Sequence, residues 1–275
     1  MTATISASLA APGQPADPGL FGPDSVTWRV HGDPVLWVGG LRALFLQALH
    51  PRAMAGLAAA SELRSDPWGR LLRTAGYVGT VTYGTTAAAE EAGRAVRRVH
   101  ETVPGMGPDL LVWVHCCLVD SFLTTHLRAG GRLTAEEADT YVAEQARLAP
   151  LVGLAPADVP ADTRALAAYF DAIRPELRRT PEAVDAARLV LLPPLPPRVL
   201  LLTPARPAWA GIAGLAFALL PRWARRLYAL PGLPVTDPAA SVAVRVLGAG
   251  LRRLPERWQQ GPHLRAARAR LRLVD

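Results

Sequence analysis

A chain of 275 residues, half of them hydrophobic, can bury one substantial core and needs no second. Its net charge of +7 and pI near 10.3 come from 30 arginines and no lysine, a bias of GC-rich coding; they are scattered rather than clustered with aromatics, which argues against nucleic acid as a partner. Cys116 and Cys117 are the only cysteines and are adjacent in an apolar run, where a disulfide is geometrically unfavourable, so a reducing, cytoplasmic setting is expected.

Residues 1–26 read as a disordered N-terminal lead, because Met1 to Gly22 has neither a basic n-region nor a long apolar h-region. Residues 27–275 read as one helical domain. Pro34 to Leu49 is an apolar helix that Pro51 interrupts, and 52–63 continues helically. Ser65-Asp66-Pro67 starts the next helix, with proline in its first turn. Gly76, Gly79 and Gly84 suggest close helix packing and then a helix end. Thr86 is the expected N-cap of a helix carrying Glu90 and Glu91 in its first turn, closed by Pro104-Gly105.

Asp109 to Leu127 is apolar nearly all round from Leu110 to Leu118, which predicts burial at the centre of the domain and places His115 there. Thr134 and Glu137 have capping-box spacing ahead of a helix through Leu148. Thr163 to Ile173 and Pro181 to Leu192 follow, the latter capped by Thr180. Leu192 to Pro197, with four prolines, is a stiff connector. Further helices are expected over Ala205 to Arg226 and Ala239 to Leu254, and His263 to Arg272 as a final surface helix. Pro207 to Leu220 is uncharged but falls short of the roughly 20 apolar residues a spanning helix needs. Arg222, Arg225 and Arg226 beside Trp223 and Tyr228 are candidates for peripheral contact with a lipid surface. The predicted architecture is all-α, a single multi-helix globular domain enclosing a cofactor pocket. No G-x-G-x-x-G loop and no G-x-S-x-G elbow occurs, which leaves nicotinamide chemistry and nucleophilic hydrolysis without support.

The densest chemistry lies in Asp66-Pro67-Trp68-Gly69-Arg70-Leu71-Leu72-Arg73-Thr74 and in Arg97-Arg98-Val99-His100. Arg70 and Thr74 are four apart and share one helical face, with Arg73 and Tyr77 on its shoulder. A histidine on the next helix facing them would suit a metal or haem centre with polar groups over its open side. Six histidines occur, and the residues alone do not choose among them.

These blocks, together with Leu44-Phe45-Leu46-Gln47-Ala48-Leu49-His50-Pro51, Asp109-Leu110-Leu111-Val112-Trp113-Val114-His115, Leu219-Leu220-Pro221-Arg222 and Tyr228-Ala229-Leu230-Pro231, resemble the helical haem oxygenase family of the latex clearing proteins and MpaB. The resemblance covers roughly residues 27 to 270. It implies haem b, with His100 as the axial ligand to iron and His115, then His50, as rivals. It implies Arg70, Arg73 and Thr74 on the opposite side, with Arg70 and Tyr77 contributing to cofactor binding. Rubber-cleaving members have lysine where Arg73 stands; a guanidinium stays protonated and does not readily ligate iron, so an open position is expected there. Arg70 and Arg73 can then pair with haem propionates or approach dioxygen, and Thr74 can donate to that oxygen. The implied reaction inserts dioxygen into a C=C bond of an apolar, isoprenoid-like substrate.

Overall fold

Prolines and capping side chains set most helix boundaries. The computed structural model describes residues 16–59, 66–194, 198 and 203–273. Fourteen α-helices are present among them: α1 (Val26–His31), α2 (Leu36–Gln47), α3 (Pro51–Ala59), α4 (Pro67–Tyr83), α5 (Thr86–Glu101), α6 (Pro108–Arg128), α7 (Ala135–Gln145), α8 (Thr163–Ile173), α9 (Pro181–Leu191), α10 (Ala205–Ala218), α11 (Arg222–Leu227), α12 (Thr236–Leu251), α13 (Glu256–Gln259) and α14 (Pro262–Leu271). The fold is all-α, a single domain that is 72% helical with no strand among the described residues. Pro51 occupies the first turn of α3 and separates it from α2, Asp66 caps α4 by accepting from the Gly69 amide, and Thr134 with Glu137 forms the expected capping box. The cap of α5 is Thr85, which accepts from the Ala88 amide, one residue before the expected Thr86, so Glu90 and Glu91 lie beyond the first turn in which they were expected. Residues 60–63 of the second predicted helix and 195–197 of the predicted connector lie outside the described residues.

The centre of the fold is the antiparallel pair α2 and α6, the most extensively packed helices among the described residues. Leu41, Phe45 and Leu46 meet Trp113, Cys116, Cys117 and Val119 in the main core, each fully or almost fully removed from water. Each large side chain so buried contributes about 1.5–3 kcal/mol of transfer free energy. Gly39 permits the approach, since a Cβ there would stand 3.0 Å from the Phe122 ring and 3.1 Å from the Ser121 carbonyl. Arg42 crosses this interface almost wholly buried; its guanidinium donates to Asp120 at 2.7 Å, to the Ser121 hydroxyl at 2.7 Å and to the Leu219 carbonyl at 3.0 Å, so its charge is paired and its donors are used. By length and composition α6 is apolar enough to cross a membrane, but its buried residues form the core against α2.

Helices α9, α10 and α12 pack around one part of this pair, and α1 and α7 around another, with α4 against α1 and α5 laid along α4. Two expectations need correction. Residues 16–26 are packed, not a disordered lead: Phe21 is fully buried against Trp28 and Tyr83, and Asp17 accepts from the Thr86 amide at 2.8 Å. The helix over 262–271 is not simply a surface element: Ala267 is fully buried, α14 lies against α4, and Arg270 donates to the Tyr83 carbonyl at 2.8 Å and the Asp17 carbonyl at 3.1 Å.

Candidate functional site

Helix α4 carries Arg70 and Tyr77 seven residues apart, two turns along one face, and α5 packs on it carrying Arg97 and His100 three apart. The two helices bring Arg70 into electrostatic range of His100, and Arg97 into range of Tyr77. Burial holds the His100 imidazole below its ordinary value, and the Arg70 guanidinium adds to that shift. His100 Nδ1 and the Tyr77 hydroxyl are both buried with no hydrogen-bond partner. Burial pushes the Tyr77 phenol up to about 12 against the opposing pull of Arg97. The site therefore offers a neutral imidazole and a neutral phenol beside two permanent cations.

Arg73 and Thr74 are both exposed to solvent. Thr74 is exposed, and Arg73 turns outward to pair with Asp66 at 3.2 Å, the two side chains being 60% and 53% exposed. The Gly69 amide and then Arg73 hold the Asp66 carboxyl below its usual value. His115 is on α6, half-shielded, and desolvation pushes its imidazole down to about 4. α4 and α6 are not among the closely packed helix pairs. His50 is buried in the turn between α2 and α3, with Nε2 3.9 Å from a Glu176 carboxylate oxygen, Nδ1 without a partner and its ring centroid 6.0 Å from that of Trp113. A shallow depression of about 320 Å³, lined by Arg52, Ala55, Gly56, Pro104 and Gly105, opens between α3 and the turn after α5.

Arg97, which the sequence places three residues before His100, also holds its helix in position. It donates to the Pro150 and Leu151 carbonyls at 3.1 and 2.9 Å, which fastens α5 to the 3-10 turn Ala146–Val152. Trp68 and Trp209 were missed. Their ring centroids are 4.8 Å apart in an edge-to-face contact, and their indole N–H groups donate to the Pro194 and Val190 carbonyls, each at 2.8 Å. This clasp ties the start of α4, two residues before Arg70, to α10 and the end of α9.

Among the described residues, no three His, Cys, Asp or Glu side chains come together as ligands for a bare metal ion. A single neutral imidazole with an unpartnered nitrogen, beside arginines that suit carboxylates, instead fits a cofactor that brings most of its metal's ligands and its own anionic groups. The fold is an all-α domain whose donor set suits such a group. The family described as ER-bound oxygenase mpaB/B'/rubber oxygenase, catalytic domain, matches residues 28–253, and the chain belongs to that family. No curated protein and no solved structure matches the chain.

Proposed function

We propose that the chain is a haem b-dependent oxygenase acting with dioxygen on an apolar, unsaturated, isoprenoid-like substrate. The observation that carries this reading is the half-buried, neutral His100 imidazole, whose buried Nδ1 has no partner and which lies in electrostatic range of Arg70. Haem b would supply the redox iron needed to activate dioxygen for attack on a C=C bond. His100 would hold it; His115 is the rival. Ligation needs the unprotonated ring, and burial and Arg70 both favour that form. Arg70 would place its positive charge toward a propionate, and Tyr77, kept as a phenol, would provide a buried hydroxyl at the same face. The reaction would take place in a reducing, cytoplasmic setting.

A second reading, a non-catalytic binder of haem or an apolar ligand, is favoured by one feature. Arg73 is engaged with Asp66 and Thr74 faces water. Visible spectra of the oxidised and dithionite-reduced protein, with pyridine-haemochrome quantitation, test the first step. A Soret band at about one haem per chain, lost in His100→Ala with helicity retained, is the expected result. Retention in His100→Ala and loss in His115→Ala would move the ligand to α6. A colourless protein that refuses added hemin would remove both haem readings. Oxygen uptake with unsaturated isoprenoids then separates the enzyme from the binder.

A further inference from the structure

Helix α12 is apolar on two opposite faces. Ala240, Val244 and Gly248 are buried toward the core, whereas Val235, at its N-cap, and Val242 and Val246, at helical spacing on the outward side, are 62%, 59% and 67% exposed. A soluble helix normally turns charge outward, so this outward apolar stripe requires an explanation. It is extended at its leading end by the loop Leu230 to Val235, where Leu230 and Leu233 are 60% and 72% exposed. That loop is held in place: Ala229 has a left-handed backbone at φ 60°, the Leu230 amide donates to the Arg225 carbonyl at 3.0 Å, and buried Arg225 donates to the Pro231 carbonyl at 3.2 Å. Two leucines are thus presented to solvent by a strained and anchored turn. Beyond the trailing end of α12, Trp258 on α13 is 71% exposed.

The charge around this stripe identifies what it fits. Residues 198–275 hold 13 of the 30 arginines and 3 of the 23 acidic residues, a net +10, while residues 1–197 net −3. One of those three acids, Asp237, is paired with Arg222 and Arg225. Arg226, Arg245, Arg253 and Arg257 are exposed on the same stretch of chain, α11 to α13. We infer that this face, the loop from Leu230 to Val235 with the outward side of α12 and Trp258, docks on an anionic lipid bilayer. The leucines and valines enter the boundary between headgroups and acyl chains, Trp258 sits at headgroup depth, and the arginines extend to lipid phosphates. Arg225, read from the sequence as part of a lipid-facing cluster, is instead an internal residue: it is 2% exposed and donates to the Ala218 and Leu220 carbonyls.

The test uses the full chain and sedimented vesicles of phosphatidylcholine, alone or mixed equally with phosphatidylglycerol. The protein should pellet with the mixed vesicles, less with phosphatidylcholine, and less still with mixed vesicles in high salt. Leu233→Ser combined with Val242→Ser and Val246→Ser, all at exposed positions, should keep its helical circular dichroism and lose about ten-fold or more in vesicle partitioning. Protein left in the supernatant with both vesicle types would overturn the inference. So would unchanged partitioning of the triple variant, or light scattering showing a dimer that this variant makes monomeric while vesicle binding is absent; the face would then join two copies. None of these outcomes depends on haem content, so failure here is distinguishable from failure of the oxygenase reading.

Discussion

At the scale of single residues, two histidines are kept neutral in different ways. His100 is desolvated and lies near a cation, so replacing Arg70 by Gln should raise the imidazole titration of the cofactor-free protein in NMR; an unchanged titration would mean that the two side chains are not coupled. His31 is desolvated alone and pushed down to about 3, with its ring nitrogens bonded to Thr82 at 2.9 Å and Tyr141 at 3.1 Å. Above about 6.5 both folded and unfolded chains hold this ring neutral. As pH falls from about 6.5 toward about 3 the unfolded chain takes up a proton that the folded chain refuses, so stability falls across that window. Melting curves should show a smaller loss of Tm between pH 6.5 and 4 for His31→Gln than for the parent, and parallel losses would rule this contribution out. The nearness of Arg70 and His100 was legible because helical spacing and a short connection place the residues on facing helices. The Arg73 to Asp66 pair was not. Spacing favours Arg70 as the partner of Asp66, four residues on, and the choice of Arg73 is made by side-chain rotamers that spacing does not specify.

At the scale of elements, the boundaries that were legible are those written in local chemistry: Pro51, Asp66 with Pro67, Thr134 with Glu137, and Thr180 with Pro181. What was not legible depends on contacts distant in sequence. Gly93 is an example, because α5 passes so close to the turn at Leu151 that a Cβ would stand 2.9 Å from its carbonyl oxygen and 3.1 Å from its Cα. Gly93→Ala should therefore destabilise the protein by about 1–3 kcal/mol in urea unfolding, despite a better helix propensity. Wild-type stability would show that the turn can withdraw freely. Arg225 is a second case. Its sequence neighbours are basic and aromatic, suggesting a surface, yet α11 turns it inward onto the Ala218, Leu220 and Pro231 carbonyls and Asp237. Arg225→Met strands those acceptors and should cost about 3–5 kcal/mol by the same measurement. Arg225→Lys should recover little, because a single ammonium cannot span several acceptors as a guanidinium fork does.

At the scale of the whole molecule, the all-α class and the family were readable from composition, helical periodicity and the quoted blocks, and the family match over 28–253 agrees with them. The packing of residues 17–21 was not legible because Asp17, Gly19 and Phe21 sit in a small-residue, proline-containing stretch that resembles a tail by composition; their order comes from partners more than sixty residues away, Asp17 reaching Thr86 and the Leu20 carbonyl accepting from Arg147, while residues 1–15 of the expected lead lie outside the described residues. Removing residues 16–24 should thus lower Tm and expose Tyr83 to solvent quenching, whereas an unchanged melt would return this segment to the status of a dispensable lead.

The seating of α14 on α4 has a consequence for how the protein is made. The helix that bears Arg70 and Tyr77 receives its cover only when residues 262–271 are available, and the Arg270 to Tyr83 bond joins positions 187 residues apart in the chain. On a ribosome, α4 and α5 emerge long before that cover and must wait with their apolar faces incompletely sheltered. Closing so distant a contact is slow compared with local helix formation. A nascent chain arrested before residue 262 should therefore be helical and protease-sensitive around 67–101.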